Sequence, residues 1–175
     1  AKQVLMEGMA KFPANSRIIE GLISLYTDPE NPVGDPQELQ EMVDGALAKD
    51  PNNKDLWNGR AIMFNSMKNY DEAIENFTMA ADAAEMFDNV VDMNKNRTYV
   101  GQMYQAKGAD AFNSEDYATA IAVFSKGYEA DPRNTDMALN LAESYFKSDM
   151  YQEGMKICTK ISQLNAEKFG EAIAA

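Results

Sequence analysis

The sequence predicts an all-α fold, a solenoid of stacked antiparallel helix pairs, on three observations. The segments that begin at Tyr70 and Tyr117 carry small and aromatic residues at the same offsets. These are Ala73, Phe77 and Ala80 in the first segment, and Ala120, Phe124 and Gly127 in the second. Tyr117 and Tyr151 are 34 residues apart, a length typical of helix-pair repeats. Apolar residues between these landmarks recur at helical spacing, and because one helix pair cannot bury its apolar face alone, we expect the pairs to stack.

Composition limits the function classes. The 175 residues have 45% hydrophobic content and a net charge of −12, which fits a folded domain that repels nucleic acid and anionic membranes. The single cysteine, Cys158, excludes an internal disulfide and a multi-thiolate metal site, and the chain has no histidine. No run of about 20 apolar residues occurs, so we expect no direct membrane insertion. We also expect no cofactor.

The first third of the chain predicts three helices. The first runs from Gln3 to Lys11 and is stopped by Pro13. Asn15 or Ser16 caps the second, and the turn-rich connector Pro29–Asp35 precedes a third from about Pro36 to Lys49. The second helix is expected to bury Ile19, Leu22, Ile23 and Tyr26, and the third Leu39, Val43, Ala46 and Leu47.

The step from Tyr70 to Tyr117 is 47 residues, 13 more than one period, which predicts an insertion. One overlong helix from roughly Asp92 to Asn113, after a longer connector near Phe87–Asp92, accounts for it. Two registers stay open. If Val100, Gly101 and Tyr104 are matched to the landmark positions of the other repeats, the surplus residues are Ala109–Glu115, which would extend beyond the neighbouring helices. If Tyr104, Gly108 and Ala111 are matched instead, the surplus lies before them.

The predicted organisation therefore has six segments: a single helix over 1–15, a repeat with a loop insertion over 16–53, a regular repeat over 54–87, a repeat with an overlong first helix over 88–134, a regular repeat over 135–168, and the start of a capping or truncated helix over 169–175.

The pattern over roughly residues 16–168 resembles the tetratricopeptide repeat family. The repeat from Lys54 carries its landmarks at Trp57, Ala61, Phe64, Tyr70, Ala73, Phe77 and Ala80, and the last repeat at Leu141, Ala142, Tyr145 and Tyr151. Departures are Arg60 for Leu, Gly154 for Ala and Cys158 for an aromatic residue. The resemblance implies a right-handed α–α superhelix that acts as a non-enzymatic scaffold and binds a peptide or partner helix in a concave groove.

In this family the groove is lined by the first helix of each repeat, here called the A helix. The resulting groove candidates are Asn58, Ile62, Asn65, Lys95, Gln102, Gln105, Leu139, Glu143 and Phe146. Glu20 and Ser24 occupy places where family members that hold acidic chaperone tails carry a Lys and Asn clamp, which disfavours that partner class. The alternative function is a structural segment of a larger solenoid, or a module that associates with its own copies.

Catalytic and metal-binding interpretations are weaker than structural ones. Neighbouring acids such as Asp71 and Glu72 point about 100° apart on a helix and suit its N-terminal dipole. The loop from Asp28 to Asp35 lacks the ligand spacing of a calcium-binding hand. Cys158 is expected in the core, as are Met6, Met79, Met103 and Met155, while Gly101 and Gly108 are expected at helix crossings. The sequence therefore predicts a protein that is not an enzyme and holds no metal.

Overall fold

The fold is all-α. The structure, a computed structural model, describes residues 2–12, 15–26, 28, 30 and 34–174, with the side chains of Ser16, Pro36 and 167–174 excepted. Within that part the elements are α1 (Lys2–Lys11), α2 (Ser16–Tyr26), α3 (Pro36–Leu47), α4 (Lys54–Ser66), α5 (Tyr70–Met86), α6 (Val90–Asn113), α7 (Tyr117–Ala130), α8 (Thr135–Lys147) and α9 (Tyr151–Ala174). The predicted stop at Pro13 and most of the connector Pro29–Asp35 lie outside the described residues.

The chain divides into two compact units, residues 1–100 and 101–175. In the first unit α1 packs on α2, and α4 packs on α2, α3 and α5. The predicted stripes are confirmed, because all eight of their members are buried: Ile19, Leu22, Ile23 and Tyr26 on α2, and Leu39, Val43, Ala46 and Leu47 on α3.

Asparagine and aspartate side chains cap the N-termini of α2, α3 and α4. The Asn15 side chain accepts hydrogen bonds from the backbone N–H groups of Arg17 and Ile18, which identifies it rather than Ser16 as the cap of α2. Asn53 caps α4 in the same way. Asp35 caps α3, whose first residue is Pro36, a position where a missing N–H costs little.

The second unit has its core between α7, α8 and α9, with Ala120, Phe124, Met137, Ala138, Leu141, Ala142, Ile157 and Ile161 buried in one cluster. Cys158 packs against this cluster as a half-buried thiol. Met103 is buried as expected, but the expectation is wrong for Met79 and Met155, which are exposed.

The extra residues in the 47-residue step from Tyr70 to Tyr117 lie mainly in α6. This helix has 24 residues against 13 in α8, a difference of 11, as the predicted single long helix requires. The longer connector expected near Phe87–Asp92 is wrong, because α6 already begins at Val90 and α5 continues to Met86. The helix over 169–175 is not a separate element either, since α9 runs unbroken to Ala174.

Glycine contacts decide between the two registers of α6. A Cβ at Gly108 would collide with the ring of Phe124, whereas a Cβ at Gly101 would meet nothing within 4 Å. Gly108 is therefore a helix-crossing residue and Gly101 is not. Ala111 and Phe112 pack against the second-unit cluster, so the idea that Ala109–Glu115 extends beyond its neighbours is wrong. The surplus lies in the N-terminal part of the helix.

Four tight turns share one backbone geometry. Lys68, Asp88, Glu115 and Asp149 all have positive φ, between 54° and 61°. Each is followed by a residue whose N–H bonds to a carbonyl five positions earlier, as in Asn89 N to Ala84 O at 2.9 Å. This is the Schellman ending of a helix. Three of these turns join helices of a predicted repeat, and the fourth joins α5 to α6.

Candidate functional site

The first unit contains a cavity of about 270 Å³ between three of its A helices, α2, α4 and the N-terminal part of α6. Its lining is formed by Ile19, Glu20, Lys54, Asp55, Asn58, Gly59, Asp92, Lys95 and Asn96. Seven of these nine residues carry a charge or an amide. The cavity is therefore a polar site with both signs of charge.

Close packing of α2 against α4 shapes one wall. Gly59 faces Ile19, and a Cβ at Gly59 would collide with the Ile19 side chain. The Asn53 cap begins α4, which places Lys54 and Asp55 in its first turn at the cavity. The backbone of α4 can approach α2 here because position 59 has no side chain.

An ion pair network closes another wall. Lys54 Nζ lies 2.8 Å from Asp55 Oδ1 and 2.7 Å from Asp92 Oδ2, so it joins α4 to α6. Partial burial disfavours the charged ammonium, but the two carboxylates outweigh this cost and raise the pKa of Lys54. The hydrogen bond from Lys54 lowers the pKa of Asp92 against the opposing effect of partial burial. Both groups are held charged at neutral pH.

A pair of amides lies beside these charges. Asn58 Nδ2 donates to Asn96 Oδ1 at 2.6 Å, and Asn96 Nδ2 donates to the backbone oxygen of Asp92 at 2.9 Å. Asn96 is only 3% exposed. Because a buried amide without partners is costly, this chain of bonds fixes the orientation of the half-buried Asn58.

Two cavity residues keep their charges available. Glu20 is exposed and has no hydrogen bond or ion pair among the described residues. Lys95 is exposed, with Nζ 5.8 Å from the centre of the Tyr99 ring, and its charge contributes to the lowered pKa of Asp92. The site thus offers a free carboxylate, an ammonium and an oriented amide to a polar ligand.

The structure places the predicted groove residues in different surroundings. Asn58 and Lys95 line the cavity together. Ile62 and Asn65 are half-buried further along α4, and in the second unit Gln105 is half-buried while Gln102, Leu139 and Glu143 are exposed. Phe146 packs against the Gly154 backbone and stacks on Tyr151 with ring centres 6.4 Å apart. Its ring is thus engaged in contacts between α8 and α9.

Sequence reasoning missed Lys54, Asp92 and Asn96. Asp92 and Asn96 are separated by one helical turn and share a face of α6 with Lys95 beside them, a spacing that the helix predicted from about Asp92 already contained. Their role depends on contacts with Lys54 and Asn58 on α4, which spacing within one helix does not predict. Within the described residues no group of three or more His, Cys, Asp or Glu is arranged to hold a metal ion.

Comparisons with known proteins agree with this architecture. Residues 111–174 match a tetratricopeptide repeat family model. A crystal structure of MamA protein superposes with a TM-score of 0.50 at 14% identity, covering 96% of this chain and 82% of that one. A second MamA crystal structure gives 0.49 at 15% identity, covering 96% and 88%. The tetratricopeptide resemblance is confirmed over residues 111–174, and the first superposition confirms the helical solenoid fold. Across the described helices none is long and apolar enough to span a membrane.

Proposed function

We propose that this chain is a non-enzymatic interaction module that holds a peptide segment or partner helix against the A helices of its first unit, with the polar cavity as the anchor point. Tetratricopeptide-like repeats and the solenoid fold support the general role of a protein-binding scaffold. The observation that carries the proposal is the cavity between α2, α4 and α6.

The charged and amide side chains of the cavity determine which ligand groups can bind there. The ammonium of Lys95 accommodates a carboxylate or backbone carbonyl, Glu20 accommodates an amine or amide N–H, and Asn58 pairs with a peptide group. Since Lys54 is already neutralised by Asp55 and Asp92, it supports the wall instead of competing for the ligand. Ile62, Asn65, Gln102, Gln105, Leu139 and Glu143 remain candidates for contacts outside the cavity, with Phe146 as the weakest of the set.

Selection from a random displayed peptide library, followed by calorimetric titration of the recovered peptides, tests this function. We expect Lys95→Gln and Glu20→Gln each to weaken binding about tenfold, because each removes one charge from the cavity without altering the core. Lys126→Gln is the matched control, since Lys126 is an exposed lysine on α7, outside the A helices. Recovery of no peptide, or equal affinity for both cavity variants and wild type, would overturn the proposal.

A second candidate function is association with another copy or with further repeats. It is favoured by two apolar side chains, Val4 on α1 and Phe12 directly after α1, which are 72% and 63% exposed. Sedimentation velocity over a range of concentrations tests it. Association that disappears in Val4→Ser/Phe12→Ser would support self-association, and a monomer at every concentration would exclude self-association.

A further inference from the structure

The turn between α5 and α6 displays an apolar patch that lies outside the cavity. Met86, Phe87, Val90 and Val91 are 65%, 67%, 58% and 78% exposed, and they fall within six consecutive residues. We call these four residues the turn patch. Single exposed apolar residues are ordinary, but a contiguous group is typical of a binding surface.

The backbone beneath the turn patch is ordered by specific hydrogen bonds. Asp88 has φ 54°, and Asn89 N bonds to Ala84 O at 2.9 Å, which ends α5. The Asn89 side chain then accepts from Asp92 N at 3.1 Å, which begins α6. The turn patch is therefore presented on a fixed turn, so little conformational entropy is lost when a partner covers it.

The rim of the turn patch is acidic. Residues 82–94 contain Asp82, Glu85, Asp88 and Asp92 and no lysine or arginine, and the first cation beyond them is Lys95, one helical turn after Val91. Glu85 pairs with Arg97 at 3.1 Å and Asp92 pairs with Lys54 at 2.7 Å. Asp82 and Asp88 are exposed and have no ion-pair partner among the described residues, and Asp82 lies one helical turn from Met86.

We propose that the turn patch docks a basic amphipathic helix of another protein, whose apolar face covers Phe87 and Val91 and whose lysines or arginines meet Asp82 and Asp88. Charge complementarity selects this occupant, since a cationic partner is attracted by both the acidic rim and the net charge of −12. A second copy of the chain would set acidic rim against acidic rim, which disfavours self-association through this surface.

Fluorescence anisotropy with two synthetic probes tests the proposal on the full chain. One probe is an amphipathic helical peptide of leucine and lysine, and the other has glutamate at every lysine position. We expect the lysine peptide to bind wild type and the glutamate peptide not to bind. Phe87→Ser/Val91→Ser should weaken binding by at least about tenfold. Asp82→Asn/Asp88→Asn should weaken it and reduce its salt dependence, and asparagine at position 88 tolerates positive φ.

Two controls separate this surface from general effects. Met150→Ser/Met155→Ser removes exposed apolar side chains elsewhere, and Glu20→Gln alters the cavity on α2, away from the turn patch. Both should bind the lysine peptide as wild type does. The proposal is overturned if the lysine peptide does not bind, if the glutamate peptide binds equally well, or if the methionine control loses as much affinity as Phe87→Ser/Val91→Ser. It is also overturned if sedimentation shows self-association that the Phe87→Ser/Val91→Ser change abolishes, which would make a second copy the occupant.

Discussion

Arg60 on α4 donates a hydrogen bond from Nη1 to Oδ1 of Asn76 on α5 at 3.2 Å, and Asn76 is 2% exposed. Arg60 Nε also lies 2.9 Å from Asp44 Oδ1 on α3. The Nε–H bond is not directed at this oxygen, so the contact is an ion pair and not a hydrogen bond. The guanidinium carbon lies 5.9 Å and 5.4 Å from the rings of Trp57 and Phe64. Arg60 thus replaces the leucine of the repeat pattern with a polar link between three helices.

Arg60→Leu is expected to lower the free energy of unfolding by about 1–3 kcal/mol, because it leaves the buried Asn76 oxygen without its partner. Replacing both residues, as Arg60→Leu/Asn76→Leu, should recover part of the loss, since no buried oxygen is then orphaned. Urea unfolding followed by circular dichroism measures both. Losses that simply add would show that the two side chains are not coupled.

Asp92→Asn is expected to cost about 0.5–1 kcal/mol at neutral pH by removing one carboxylate from Lys54. The pKa of Asp92 is depressed below its ordinary 3.8, so its contribution is fully present above about pH 4 and is lost as pH falls through the lowered value. The raised pKa of Lys54 keeps that partner charged until pH exceeds its ordinary 10.5. Unfolding curves of wild type and variant should therefore begin to converge as pH falls below about 4 and should coincide once pH is below the lowered pKa of Asp92. Glu75→Gln, an exposed change on α5, is the control. The difference in stability between wild type and this variant should not depend on pH in this way.

Gly101→Ala and Gly108→Ala are expected to have opposite effects although both lie in α6. Alanine at 101 meets nothing within 4 Å and should stabilise the helix by about 0.5–1 kcal/mol. Alanine at 108 collides with the Phe124 ring and should destabilise by about 1–3 kcal/mol. Thermal unfolding of the two variants decides this, and stabilisation by both would contradict the register of α6.

Glu115→Gly is expected to stabilise the chain by about 0.5–1 kcal/mol, because glycine adopts its φ of 61° without strain from a Cβ. Ala122→Gly, at an exposed position inside α7, is the control and should destabilise by a similar amount. Chemical denaturation compares the two. A loss of stability at position 115 would mean that the glutamate side chain makes a favourable contribution larger than the backbone strain.

Phe77→Ala and Phe124→Ala are expected to cost about 3–5 kcal/mol each, because both rings are almost completely buried. Phe77 also lies 5.0 Å from the Tyr99 ring, and Phe124 covers Gly108. Differential scanning calorimetry provides the test. A melting temperature within error of wild type for either variant would contradict its assignment to the core.

Periodic features of the fold were predictable from sequence, and its exceptions were not. The buried stripe of α2 follows from the helical spacing of its apolar residues. The length of α6 follows from the 13-residue excess over one repeat. The start of α6 was misplaced because Asp88 closes α5 in a left-handed conformation that glycine usually adopts, so no glycine marks the turn. Asp92 and Asn96 lay within the predicted helix, but their roles depend on contacts with Lys54 and Asn58 from a different helix, which the sequence pattern does not predict.

The contact between Gly108 and Phe124 also has an evolutionary consequence. The aromatic ring occupies the volume that any larger residue at position 108 would need, so neither site can change freely while the other stays fixed. Homologous chains that carry alanine or serine at position 108 are therefore expected to carry a smaller residue than phenylalanine at position 124. The two positions should diverge together, and their covariation would record the spacing between α6 and α7 in sequences whose structures have not been determined.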